Sequence, residues 1–308
     1  MVQANELAWL EQSVGVLALE DRAIISVGGD DAHDWLQGQV TNQLKDVEPG
    51  SSVYGFVLTL KGRVLADVYV LIREGELWLD VPAAQVEALL ERFDRYIIME
   101  DVDLDHRKDL QVITAQGPRS NELRGDGWPS DRLGRGGREW VVPAAELESE
   151  LTSLIARSDE LGGGAVGSQA WAQAHVIYGR PRFGVDFGDW TYPQESGLSR
   201  LAVSFKKGCY IGQETVVMLE NRGKAPKVLW RWALEGPVVP AAGSPITLDD
   251  GVVGEATSAA VGEKGVRALG FLKRGHESED QGGFRIAGRV ARPLGPVETG
   301  PAVSSVRA

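Results

Sequence analysis

The chain has 308 residues, a net charge of −12 and a pI near 4.9. That balance argues against broad nucleic-acid binding, which needs a cationic face to displace phosphate counterions, although a local basic patch stays open. The single cysteine, Cys209, excludes an internal disulfide framework and a zinc site built from several thiolates, and it fits a reducing compartment.

An apolar content of 43% and a charged content of 25% are ordinary for a soluble chain that buries its own core. The length predicts two domains or three small ones. "MVQANELAWLEQS" carries Glu6 and Glu11 and no early Lys or Arg, unlike a signal peptide. No apolar run approaches the roughly 18 residues of a membrane span. The expectation is a cytoplasmic protein with no membrane partner.

In chain order, "RAIISVGG" (Arg22–Gly29) reads as a buried strand. Asp30 or Asp31 is placed to cap a helix through Trp35 and Leu36. Three strands follow between Tyr54 and Val81, with "TLKGR" as a turn in which Gly62 supplies a positive φ. Val86, Leu89, Leu90, Phe93 and Ile97 recur at helical spacing, predicting a helix from Ala83 to about Ile98. "DLQVITAQG" reads as a strand and Pro118 opens a short helix. "RGDGWPSDRLGRGG" (Arg124–Gly137) is loop by composition. "REWVV" is a strand, and the helix after it puts Leu147, Leu151, Leu154 and Ile155 on one face. "LGGGAVGS" is a flexible joint, after which Ser168 caps a helix ending near Gly179 and Pro181.

From about Val228 the pattern changes to short strands: "VLWRWAL", "SPITL", "VVGEATSA", "VRALGFLK" and "FRIAGRV". Gly- and Pro-rich turns separate them, as in a small barrel or sandwich. "GHESEDQGG" reads as an exposed loop and the last residues as a disordered tail. No internal repeat of roughly 20–50 residues stands out. The fold class is α+β with an all-β C-terminal domain.

Two stretches carry candidate chemistry. In "SFKKGCYIGQETVV" (Ser204–Val217), a helix beginning at Cys209 would stabilise its thiolate through the exposed N–H groups and the helix dipole, helped by Lys206 and Lys207. The competing reading is a buried, inert thiol. Lys207 and Glu214 read equally as a solvated face or a cap, Tyr210 as a core aromatic, and Gly208 and Gly212 as turn glycines. "YGRPRFGVDF" (Tyr178–Phe187) offers two arginines to a carboxylate and ring faces to a planar ligand, or is a surface turn. His33, His106, His175 and His276 show no metal-ligand spacing, and His175 reads as a satisfied core histidine. No P-loop, dinucleotide fingerprint or nucleophile elbow is present.

"KGCYIGQE" (Lys207–Glu214) resembles the signature of the YgfZ family of folate-binding proteins. "WLQGQVTNQL" (Trp35–Leu44), with Gln43 where an aspartate is more usual, resembles an early motif of that family. So do "KGRVLADVYV" (Lys61–Val70), "GRPRFGVD" and "YPQESGL" (Tyr192–Leu198), so the resemblance spans nearly the whole chain. It implies kinship with the T-protein of the glycine cleavage system, an aminomethyltransferase that uses tetrahydrofolate. The fold it implies is a three-domain arrangement around a central channel with a C-terminal β-barrel. We expect residues 1–225 to form an α+β body of two intertwined subdomains, the second roughly 50–110. Residues 226–295 would form the barrel and 296–308 a flexible tail.

The function implied is that of a folate-binding accessory protein for iron–sulfur cluster assembly or repair, indirectly supporting tRNA methylthiolation. Its partners would be iron–sulfur client enzymes and assembly proteins, with no direct nucleic acid. By the same resemblance the catalytic motif comprises Cys209, Lys207 and Tyr210 with Gly208, Gly212, Gln213 and Glu214. Cys209 would sit near the channel mouth as a redox thiol or transient cluster ligand, since one thiolate cannot hold a four-iron cluster; no metal would be stably bound. Tetrahydrofolate or a derivative would be held by Asp67, Trp171, Tyr178, Arg180, Arg182 and Arg222, with Phe183 and Lys224 as further candidates. The first of the T-protein's paired aspartates, its catalytic carboxylate, falls on Ala66 and the second on Asp67. Adjacent strand residues face opposite ways, which disfavours the alternative, a tetrahydrofolate-dependent aminomethyltransferase or other one-carbon transferase. A binding scaffold without chemistry is the third reading.

Overall fold

The computed structural model describes residues 4–223, 225–276 and 282–298. The chain runs α1 (Ala4–Gln12), β1 (Gly15–Ala18), β2 (Arg22–Gly28), α2 (Ala32–Gln37), β3 (Ser52–Leu58), β4 (Val64–Ile72), β5 (Leu77–Pro82) and α3 (Val86–Asp94). It continues through β6 (Asp103–His106), β7 (Leu110–Gln116), β8 (Trp128–Pro129), β9 (Gly137–Pro143), α4 (Leu147–Glu160), β10 (Gly164–Ala165), α5 (Ser168–Tyr178), α6 (Ser199–Ala202) and α7 (Gln213–Arg222). The last strands are β11 (Lys227–Leu234), β12 (Pro245–Leu248), β13 (Gly251–Gly262), β14 (Gly265–Lys273), β15 (Arg285–Ile286) and β16 (Arg289–Pro296).

Two five-stranded sheets form the body. One has the order β3-β4-β5-β2-β6, so it reaches back to residue 22; the other has the order β10-β1-β7-β9-β8. The first sheet is buried on both faces, which is why β4 reads as a near-continuous apolar run. Ala66, Val68 and Val70 of β4 join Ile25, Leu79, Leu36 and Phe93 in a core under α2 and α3. Tyr69, Leu71, Ile24 and Trp78 face the other way, against Leu10, Leu17, Val112 and Trp171. The second sheet covers its outer face with α4 through Val16, Ile113, Trp140 and Leu154. The two sheets thus meet face to face, with α5 beside them.

The C-terminal strands close a six-stranded barrel in the order β11-β14-β13-β12-β15-β16. Trp230, Trp232, Phe284 and Ile286 fill it. Val176 of α5 packs with Leu229, Leu269 and Phe271 on its outside. A buried carboxylate also joins the barrel to the body. Asp186 Oδ1 accepts from the hydroxyls of Thr257 and Ser258, both at 2.6 Å, and Oδ2 accepts from the Arg182 N–H at 2.9 Å. Successive strand residues normally face opposite ways, but a register shift between Ala256 and Ser258 accompanies the convergence of both hydroxyls on one oxygen.

Several local expectations are corrected. The helix expected to begin at Cys209 begins at Gln213, because Gly212 holds φ 82° at its N-cap. The helix expected from Ala83 to Ile98 is a 3-10 turn and then α3, ending at Asp94. "FRIAGRV" is two strands, split by a turn in which Ala287 and Gly288 take positive φ. The loop at Arg124–Gly137 and the joint at 161–168 each contribute a short strand, β8 and β10. Ser168 does not cap α5; the N-cap residue is Gly167, whose N–H donates to Glu6 at 2.9 Å. The expected tail starts late, since β16 runs to Pro296 and Val297 is buried. Residues 299–308 and part of "GHESEDQGG" lie outside the described residues.

Gly212 and Gly62 form one close approach between distant segments. A Cβ on Gly212 would lie 2.5 Å from the Thr59 carbonyl oxygen, and one on Gly62, at φ 76°, 2.9 Å from Thr215 Cβ. The turn after β3 therefore docks onto the start of α7 through two glycines. Gly212→Ala is expected to cost about 2 kcal/mol, from left-handed strain and the clash. Urea denaturation checks this, and an unchanged midpoint would refute it.

Candidate functional site

The candidate site is a cavity between the two sheets and α5. Its non-atom space, counted together with its opening to solvent, is about 690 Å³. The period-two alternation of β4 builds one wall: Asp67 and Tyr69 face the cavity while Ala66 and Val68 face the helix-side core. Tyr54 of β3 and Arg22 of β2 stand beside them, and Trp171, His175, Arg180, Arg182 and Phe183 close the opposite side.

A paired charge network underlies this wall. Arg22 donates to Asp67 Oδ1 at 2.7 Å, to Asp80 Oδ1 at 2.6 Å and to the Asp80 carbonyl at 2.7 Å. Arg132, from the loop after β8, donates to Asp80 and, at 2.6 Å, to Glu139 Oε2. Its guanidinium also lies 4.2 Å from the Tyr69 ring centroid. Burial would lower the pKa of Arg22, but Asp67 and Asp80 outweigh it and hold it above its ordinary value. Burial pushes Glu139 up, against the pull of Arg132. Burial, then the neighbouring Asp67, likewise pushes Tyr54 well above its usual range. The Tyr54 hydroxyl lies 3.3 Å from Asp67 Oδ2, to which it donates.

His175 is fixed from two sides. Its Nδ1 lies 2.8 Å from the Arg180 carbonyl oxygen, and its ring meets Trp171 edge to face at 4.6 Å. Burial, with Arg182, Arg132 and Arg180 nearby, pulls its pKa down to about 3. The expectation of a satisfied histidine fits Nδ1, yet the ring also lines the cavity.

Of the residues expected to hold folate, Asp67, Trp171, Arg180, Arg182 and Phe183 converge on the cavity. Arg180 and Arg182 form no ion pair among the described residues. Two expected residues lie elsewhere. Tyr178 sits under Arg135, at 4.4 Å, with its hydroxyl bonded to the Leu7 carbonyl. Arg222 is exposed in the last turn of α7, and Lys224 lies outside the described residues. Tyr54, Tyr69, Arg22, Arg132 and His175 line the cavity without having been expected there. The two-residue spacing of Asp67 and Tyr69 is the signal that would have found the tyrosine.

The pleat of β4 also reverses the significance of Ala66. A carboxylate at 66 would point into the apolar core; the side chain that reaches the cavity is Asp67. The cavity therefore keeps an acid, and Arg22 is what engages it.

The "KGCYIGQE" motif forms a separate surface. Lys207 is buried, and its Nζ donates to the carbonyls of Gln37, Val40 and Asn42 at 2.6, 2.7 and 2.7 Å. Burial lowers its pKa to about 8, while the three acceptors use every proton of the ammonium form. Lys207 is thus an anchor for the early "QVTN" segment rather than a charge held free for the thiol. Tyr210 is the second anchor, packed with Phe56, Val64, Leu198 and Val216, its hydroxyl without a partner among the described residues. Between the anchors, Gly208 and Cys209 are exposed, and a Cβ on Gly208 would meet no atom within 4 Å. Cys209 is exposed, is not among the residues lining the cavity and lies four residues before α7, so the helix N-terminus does not describe its position. Gln213 opens α7 and Glu214 is exposed in its first turn, where an acid is favourable. Among the described residues no three His, Cys, Asp or Glu side chains are grouped to hold a metal, and no helix is long and apolar enough to cross a membrane.

The GCVT N-terminal domain family matches residues 1–125. A chloroplast protein of Arabidopsis thaliana, named provisionally as a transferase, is 27% identical over 289 residues. That match covers 86% of this chain and 66% of the plant protein's length. The tRNA-modifying protein YgfZ of Colwellia psychrerythraea is 23% identical over 240 residues, covering 74% of each chain. Among solved structures, the glycine cleavage system aminomethyltransferase T of Bartonella henselae superposes with a TM-score of 0.82 over 96% of this chain and 88% of that one, at 17% identity. At that identity the likeness is one of fold. These matches support the resemblance read from the sequence: the chain is similar to the YgfZ proteins and has a T-protein-like fold.

Two expectations follow from the buried side chains of Lys207 and His175. Lys207→Met strips three buried carbonyls of their donor and should cost about 3 kcal/mol or more. Exposed Cys209→Ser should stay within about 0.5 kcal/mol. Urea denaturation of both checks the contrast, and equal effects would contradict the anchor role. For His175, the unfolded chain gains a proton below about pH 6.5 that the folded chain refuses until near 3. Its contribution is fully present above pH 6.5 and is lost as pH falls. Between pH 7 and pH 5 the wild type should lose about 2 kcal/mol more than His175→Gln; parallel losses would refute it.

Proposed function

We propose that this chain is a folate-binding accessory protein that supports iron–sulfur cluster assembly or repair in client enzymes, and through them tRNA methylthiolation. The observation that carries the reading is the cavity's composition: aromatic rings from Tyr54, Tyr69, Trp171 and Phe183 around Arg180 and Arg182, which form no ion pair among the described residues. A folate needs planar walls for its pterin and cations for its carboxylates, and these residues fit both needs. When bound, tetrahydrofolate would supply a one-carbon carrier or a reductant. The chain's own part is to orient it: ring faces hold the heterocycle, the arginines hold the tail, and Asp67 stays fixed by Arg22. The name of the Colwellia relative points to tRNA modification, and the T-protein-like fold agrees with a folate-type ligand.

Cys209 serves, in this reading, as an exposed redox thiol or as one transient ligand to a cluster in transit, with the other ligands supplied by a partner, since a four-iron cluster takes four. The buried anchors at Lys207 and Tyr210 present it outward. The expected setting is the cytoplasm, with iron–sulfur enzymes and assembly proteins as partners.

Aminomethyl transfer stays a second reading because Asp67, not Ala66, faces the cavity. An aminomethyl-transfer assay that detects turnover abolished by Asp67→Asn would favour it.

Calorimetric titration with folinic acid should give saturable binding, weakened about tenfold or more when Arg180 and Arg182 are both replaced by Ala. No heat at millimolar ligand would overturn the folate reading. In a deletion strain, Cys209→Ala should fail to restore methylthiolated tRNA; full restoration would remove the thiol from the mechanism.

A further inference from the structure

We infer that His175 is the group through which the cavity recognises a hydrogen-bond donor on its ligand, its Nε2 presenting a fixed, uncharged acceptor to an N–H of a planar heterocycle. The inference rests on the folate reading above and adds the specificity element that the reading lacks.

The tautomer follows from the partner. The Arg180 carbonyl can only accept, so the Nδ1 at 2.8 Å carries the proton and donates. In a neutral imidazole the lone pair then sits on Nε2, which has no partner among the described residues. The edge-to-face contact with Trp171, at 4.6 Å and 88° between planes, fixes the ring. Burial and the nearby arginines oppose a second proton.

The rest of the lining explains why this acceptor matters. Arg22, Arg132, Arg180 and Arg182 can only donate. The cavity's carboxylates are otherwise engaged or exposed. Asp67 is paired with Arg22, Asp131 accepts through Oδ1 from the N–H groups of Gly134 and Arg135, and Asp21 is exposed. Beside the Tyr54 and Tyr69 hydroxyls, which also accept, His175 is the neutral acceptor that α5 itself presents to a heterocycle N–H. A site built to pair one polar group rejects an analogue that lacks it, because its own group is then left unpaired.

The test combines titration of folinic acid into wild type, His175→Phe and His175→Gln with ¹⁵N spectra of the wild-type ring. The Phe variant should bind about tenfold more weakly or worse, a loss of about 1.4 kcal/mol; Gln, whose carbonyl accepts, should recover most of the affinity. At pH 6 the ring should be the neutral Nδ1–H tautomer, and its Nε2 resonance should shift when folinic acid saturates the protein. Undiminished binding by His175→Phe overturns the inference and leaves the folate reading intact. An unshifted Nε2 resonance at saturation, or a ring protonated at Nε2, also overturns it, and needs no folded variant. A wild type that binds no folinic acid overturns the folate reading and this inference with it.

Discussion

Buried charge must be paired, and in this body that constraint falls on the face where the two sheets meet. Arg22, Asp67, Asp80, Arg132 and Glu139 come from four strands and one loop, and all are withdrawn from water. Left single, any one would cost several kcal/mol; paired, they hold one another in fixed geometry. The network therefore ties β2, β4 and β5 of one sheet to β9 of the other. The aromatic and cationic lining of the cavity is arranged on top of that fixed layer.

Lys207 solves the same problem differently. It has no carboxylate and uses three backbone carbonyls from the end of α2 and the loop after it. Residues 37–42 and 207 are far apart in sequence, so this contact folds the early motif and the cysteine motif into one unit. Thr41 and Asn42 extend the link by donating to the carbonyls of Ala202 and Leu201. Sequence signatures that lie some 165 residues apart are thereby halves of one structural joint.

What the sequence made legible follows from which interactions are local. The apolar face of α4, the Gly179 stop of α5 and the turn at Gly62 depend on neighbours within a few residues, and they can be read. Cavity residues such as Arg132 could not, because its loop carries no periodicity and its partners come from β5 and β9. Lys207 and Cys209 were read as a charge beside a thiol, since adjacency in sequence is all that a string displays. Three carbonyls from a distant loop reversed the lysine's role. Asp186 looked like the end of a surface turn, and only the bulged strand β13 reveals what it binds.

The separation of thiol and cavity constrains any mechanism that uses both. Tyr210 belongs to an apolar cluster that contains Leu198 and touches Tyr54 and Phe183, and those three are cavity walls. The cysteine motif and the cavity thus share a packed core. A ligand that presses on Phe183 or Leu198 meets the same cluster that seats Tyr210, one residue from the exposed thiol. Close-packed clusters pass on displacement rather than absorb it. Influence of a ligand on the thiol through the position of Tyr210 needs only that the cluster shift. One packed cluster thus joins the cavity walls Tyr54, Phe183 and Leu198 to the seat of the cysteine motif.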